Sequence, residues 1–121
     1  MAAPNIVSVS SISGNTNLAN VTTALSNVIT NAVNSNQVYK INSVQLSNYS
    51  SSTVSANVIF NRSSASPSSY YIAGSISIPN TSTLVVVAKD TSFYMEEGDV
   101  LQINASSNSS VHGIVSYEVI S

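Results

Sequence analysis

The sequence predicts an all-β chain: a single antiparallel β-sandwich of eight or nine strands over residues 1–121, jelly-roll or immunoglobulin-like. Three observations carry this. Short segments alternating apolar and polar residues recur along the whole length, as in strands with one face on a core. Clusters of Ser, Asn, Gly and Pro separate them at turn spacing. Where apolar residues do fall at helical spacing (Leu18, Val21, Leu25, Val28 and Ala32), the segment is crowded with Val, Thr, Ile and Asn, which form helices poorly.

Composition narrows the class. Charged residues are 7% of the chain, against about a quarter in ordinary soluble domains. The polar surface is supplied instead by 27 serines, 15 asparagines and 8 threonines. A free monomer commonly stays soluble through charge, so this composition suits a protein largely covered by neighbours. It leads us to expect symmetric self-association, a trimer being one form, or tight docking on another protein. Nucleic acid is an unsuitable partner, because phosphates require clustered Lys and Arg, and Lys40, Arg62 and Lys89 are scattered at a formal net charge of −2. The absence of cysteine removes disulfide frameworks and thiolate metal sites. MAAPNIVSVS has neither the basic region nor the apolar core of a secretory leader. No apolar run approaches the roughly 18 residues of a membrane span.

Taken in order, the elements begin with a short strand at 5–9, closed by a turn at Ser13-Gly14-Asn15. The ambiguous segment that follows reads as two strands, 19–23 and 27–31, and Asn34-Ser35-Asn36 turns the chain. VYKINSVQLSN (38–48) is a long strand whose apolar phase slips around Asn42-Ser43, the mark of a bulge. After the polar loop 49–52, Val54, Ala56, Val58 and Phe60 share one face of the next strand, with Ile59 the exception. RSSASPSS (62–69) is the most loop-like stretch, an exposed contact loop or an ordinary connection. Tyr70, Ile72, Gly74, Ile76 and Ile78 then alternate on one face.

Leu84-Val85-Val86-Val87-Ala88 is an unbroken apolar run, as expected of a central strand buried on both faces. Phe93, Tyr94 and Met95 resume the apolar pattern, and Glu96-Glu97-Gly98-Asp99 turns the chain, with Gly98 free to take a positive φ. Leu101, Ile103 and Ala105 alternate with Gln102 and Asn104, and a last strand carries Val111, Gly113, Val115, Tyr117 and Val119 on one face. From this pattern Leu84, Val86, Leu101, Ile103, Val58, Phe60, Val115 and Tyr117 are expected to be largely buried between the sheets.

MAAPNIVSVSSISG, VYKINSVQLSN, STLVVVAKDTSFYMEEGDVLQINASS and the ending SYEVIS resemble a family of small virion proteins of tailed bacteriophages, notably T4-like myoviruses of marine cyanobacteria. The most specific part is the apolar strand followed by Tyr94-Met95-Glu96-Glu97-Gly98-Asp99 and an alternating strand. The resemblance implies a non-enzymatic structural part of the particle, assembled in the host cytoplasm, with no catalytic residue and no cofactor to carry over. A capsid decoration or cement protein contacting major capsid protein is the first reading. The alternative is a neck, tail or fibre component that binds host-surface glycan or receptor.

The residues themselves offer few reactive groups. His112 is the only histidine and lies on the opposite phase from the apolar face of its strand, and no Ser-His-acid spacing stands out. Asp90, Glu96, Glu97 and Asp99 supply the oxygens a hard cation takes, but without regular calcium-loop spacing. A solvated turn, or one that pairs with Lys or Arg of a neighbouring protein, explains them as well. Tyr39, Tyr49, Tyr70, Tyr71, Tyr94 and Tyr117 read either as core and subunit-interface rings or as a sugar-stacking set. The candidate interface residues are therefore Glu96, Glu97, Asp99, Arg62 and Tyr49.

Overall fold

The computed structural model describes residues 10–121. The strand expected over 5–9 lies outside the described residues. Nine strands follow: β1 (Ile12–Val21), β2 (Ser26–Thr30), β3 (Val38–Asn48), β4 (Val54–Arg62), β5 (Ser69–Ile78), β6 (Ser82–Val87), β7 (Phe93–Met95), β8 (Asp99–Ala105) and β9 (Val111–Ile120). All pairings are antiparallel. One sheet has the order β1-β9-β3-β6, with the short β7 also on β3, and the other has β2-β8-β4-β5.

This order discriminates between the two expected topologies. The pairs β4·β5, β3·β6, β2·β8 and β1·β9 are nested one inside the next and alternate between the sheets. Such nesting is what rolling up one long hairpin produces, a jelly roll. An immunoglobulin-like sandwich would not pair its first strand with its last. Because most connections cross between sheets, the loops gather at two ends. Loops 22–25, 49–53, 79–81 and 106–110 form one end, where the Thr23 amide donates to Asn108 Oδ1 at 2.9 Å and the Tyr49 amide to the Ser110 carbonyl at 2.9 Å. Loops 31–37, 63–68, 88–92 and 96–98 form the other.

The inner faces supply the core. Ile41, Val44 and Leu46 of β3, Val58 of β4, Ile78 of β5, Met95 of β7, Leu101 and Ile103 of β8, and Val111 and Val115 of β9 are fully buried. The slip at 42–43 is a bulge: β3 pairs Ile41 with Tyr117 and then Ser43 with Ser116, so both halves of a long strand keep apolar residues inward. β5 departs further from simple alternation. Its register against β4 shifts on either side of Val58, Ser75 takes a φ of 47°, and Tyr70 and Tyr71 end exposed.

Several sequence-based expectations are corrected. Ser13-Gly14-Asn15 is not a turn: it lies inside β1, paired with Val119, Glu118 and Tyr117 of β9. Ladder bonds to a distant strand outweigh the local turn preference of Gly and Asn. The run 84–88 is not a central strand. Among the described residues β6 is an edge, bonded to β3 alone, and Val85 is 52% exposed while Val87 is buried. Among the described residues nothing covers the outer face of this sheet; a bulge at Val86 breaks the alternation, so that Leu84, Val86 and Val87 pack toward the core and Val85 faces outward. Leu84 and Val86, at the edge, are half-buried rather than buried, as are Phe60 and Tyr117 near the mouth of the sandwich.

Tyr117 stacks on Tyr39 with ring centroids 5.5 Å apart, and its hydroxyl donates to Asn17 Oδ1 at 3.3 Å. Burial first, and then the neighbouring Tyr39, push its phenol above the ordinary value. A raised folded-state value means the stabilisation is complete below about pH 10, the unfolded value, and is lost as pH rises through the folded one. Melting temperatures between about pH 8 and 11 should therefore fall less steeply in Tyr117→Phe than in the parent.

Candidate functional site

Four of the five candidate interface residues meet at the end formed by loops 31–37, 63–68, 88–92 and 96–98. β4 and β8 are neighbours, and their register sets Arg62 directly opposite Asp99. Arg62 donates from Nε to Asp99 Oδ1 at 3.0 Å and from Nη2 to Oδ2 at 2.7 Å, a bidentate pair. Oδ2 also accepts the Glu96 amide at 2.8 Å, and Glu96 Oε2 lies 3.4 Å from the same guanidinium. The hydrogen bond that Arg62 donates to Asp99, partly opposed by desolvation, raises the Arg62 pKa, with the charges of Asp99 and Glu96 adding to it.

The acidic turn is thus not a solvated connection. Asp99 is 1% exposed and Glu97 4% exposed. The Asn36 amide donates to Glu97 Oε2, while Oε1 is buried without a hydrogen-bond partner among the described residues. Carboxylates crowded on one turn repel one another unless positive charge is set among them. Arg62 neutralises Asp99, since a bidentate pair in partial burial is stronger than exposed ones, whereas Glu97 is held by the Asn36 amide. Of the three carboxylates only Glu96 faces solvent, with 53% of its side chain exposed. Glu97 and Asp99 are turned inward and do not offer a partner their charge.

Beneath this pair sits a residue that sequence reading missed. Asn31, fully buried, follows β2. Its Nδ2 donates to the carbonyls of Gln37 and Met95, both at 3.0 Å, and its Oδ1 accepts Ser35 Oγ at 2.6 Å. Its backbone receives the Gly98 amide at 2.7 Å and donates to the Asp99 carbonyl at 3.0 Å. Asn48, the last residue of β3, does the same at the other end, bonding Ser52, Ile78 and Ser50. Among 15 asparagines nothing local marks these two, beyond their position at strand ends.

Gly98 takes a φ of +87°. A Cβ there would meet only Val33 Cγ2, at an ordinary 3.7 Å, so the constraint is backbone conformation rather than space. Gly98→Val should cost about 2 kcal/mol, read from chemical denaturation.

Tyr49, the fifth candidate, is at the opposite end, 47% exposed, with its ring 4.3 Å from that of His112. The structure does not bring it to the acidic turn. His112 is exposed, on the outer face of β9. Among the described residues no group of three or more His, Cys, Asp or Glu is placed to hold a metal ion. The six tyrosines divide: Tyr39 and Tyr117 pack on the core, whereas Tyr49, Tyr70, Tyr71 and Tyr94 are exposed.

The outer face of the first sheet is the other notable surface. Register places Leu18 beside Ile114, Ile114 beside Gln45, and Gln45 beside Val85, a continuous row across β1, β9, β3 and β6. Leu18 is 78% exposed. The next row, Asn20, His112, Ser47 and Thr83, has no acidic residue, Lys or Arg. Further along the same face, Lys40 stands opposite Glu118. No protein-family model, curated protein or solved structure matches the chain.

Proposed function

We propose that this protein is a non-enzymatic structural component of a bacteriophage particle, a capsid decoration or cement protein that docks on another virion protein through the outer face of its β1-β9-β3-β6 sheet. The observation that carries the reading is the row Leu18, Ile114, Gln45 and Val85, apolar for three of its four positions and uncharged throughout. Exposed apolar strips of this kind mark interaction surfaces, and a strip lacking charge selects a partner surface equally poor in charge. The polar, nearly uncharged composition and the resemblance to small phage virion proteins point the same way. Contacts would include major capsid protein, or neck and tail proteins, and further copies of the chain.

Mass spectrometry of purified particles should find the chain, and a particle map should show it in symmetric copies burying more than about 1,000 Å². Copy number separates shell from neck or tail placement. Because the Leu18–Ile114–Gln45–Val85 row carries no charge and Asp99 is paired with Arg62 inside the domain, attachment should change little between low salt and about 1 M. Absence from purified particles ends the reading.

A further inference from the structure

A cleft opens at the mouth of the sandwich, on the same end as the Arg62–Asp99 pair. Phe60, Arg62 and Tyr70 line it from β4 and β5, Ala65 from the loop between them, and Tyr94 from β7 of the opposite sheet. Its volume is about 460 Å³, within the range of small-molecule sites. Phe60 and Tyr70 are cross-strand partners. Phe60 is braced from behind by Phe93, with centroids 5.4 Å apart, and the Arg62 guanidinium lies 5.2 Å over its ring. Tyr70 and Tyr94 keep 48% and 42% of their surface exposed. The cleft therefore presents aromatic rings from two sheets around a fixed polar group.

The charge state of that polar group selects the occupant. Arg62 is not a free cation, because two of its N–H groups are committed to Asp99, with Glu96 close by. An anionic ligand would meet the exposed carboxylate of Glu96 and find the guanidinium already neutralised by Asp99. A cationic side chain would meet the guanidinium. A neutral molecule rich in hydroxyls escapes both penalties. Its hydroxyls can accept from the remaining Arg62 N–H donors and donate to Glu96, while an apolar C–H face lies on Tyr70 or Tyr94. We propose that this cleft is a binding site for neutral hexose units of a carbohydrate. The site does not depend on how the outer sheet face is used.

The test is binding of the full chain to immobilised neutral oligosaccharides of glucose, galactose and mannose, beside matched uronic-acid oligosaccharides and a lysine-rich peptide. Binders are then titrated by NMR. At least one neutral oligosaccharide should bind and shift the resonances of Tyr70 and Tyr94. Tyr70→Ala and Tyr94→Ala should each weaken it by about tenfold. Tyr71→Ala should leave it unchanged, since Tyr71 packs beside Gly74 and lies outside the cleft. Both cleft tyrosines are exposed, so either variant tests the site if the other folds poorly. Failure of every neutral oligosaccharide to bind, binding indifferent to both tyrosines, or preference for the acidic glycans or the peptide would overturn the proposal.

Discussion

Val87→Asp should lower the melting temperature by about 15 °C, while Val85→Asp, two positions earlier but turned to the other face by the bulge at Val86, should leave it nearly unchanged. Val87 is 2% exposed and belongs to the core cluster, paired with Val44 of β3. A carboxylate placed there finds no cation and no donor, at a cost of about 4 kcal/mol, which in a domain of this size corresponds to the stated shift. Val85 is 52% exposed on the outer face, where surface substitutions usually stay within about 0.5 kcal/mol. Equal effects at the two positions would mean that β6 is covered on both faces after all. Thermal melts of the two variants side by side decide it.

Arg62→Met should destabilise the domain by about 3–5 kcal/mol, more than an exposed arginine would suggest. The guanidinium is itself one-third exposed, but its partner Asp99 is not. Removing the cation leaves a buried carboxylate with the Glu96 amide as its remaining side-chain hydrogen bond, the arrangement that costs most. The double variant Arg62→Met with Asp99→Asn should recover part of the loss, since the buried charge is gone. Glu96→Gln should be nearly silent, as an exposed pair at 3.4 Å contributes little. Denaturation with urea reads all three. An Arg62→Met variant as stable as the parent would mean that Asp99 is solvated and the turn open.

Most strands after β1 were legible in the sequence because each needs only local periodicity, whereas β1 (Ile12–Val21) reads as a turn at 13–15 and a short strand at 19–23. Leu101, Ile103 and Ala105 alternate and are buried as expected, and the slip at Asn42-Ser43 is the bulge it suggested. The positive φ of Gly98 was legible too, since a tight turn between strands favours it. What local pattern does not carry is which strands neighbour one another. Leu84 to Val87 have the composition of a central strand and lie at an edge, because their apolar outward residue belongs to a surface strip rather than to a second layer. Gly14 looked like a turn because its partners on β9 are about a hundred residues away, beyond any window of sequence. The acidic turn shows the same limit. Arg62 and Asp99 are 37 residues apart, and only the β4–β8 register reveals that one neutralises the other. The cleft is equally non-local, since Tyr94 and Tyr70 come from different sheets.

The reading as a docked virion component rests on the outer face of the first sheet. It is tested most directly by particle occupancy of a variant altered only there. Leu18→Asp combined with Val85→Asp changes two exposed side chains at the two ends of the same row. The variant should fold with a melting temperature close to that of the parent, yet be missing from particles assembled in its presence, where the parent chain is retained. Incorporation of the variant at the parental copy number would contradict docking through this face.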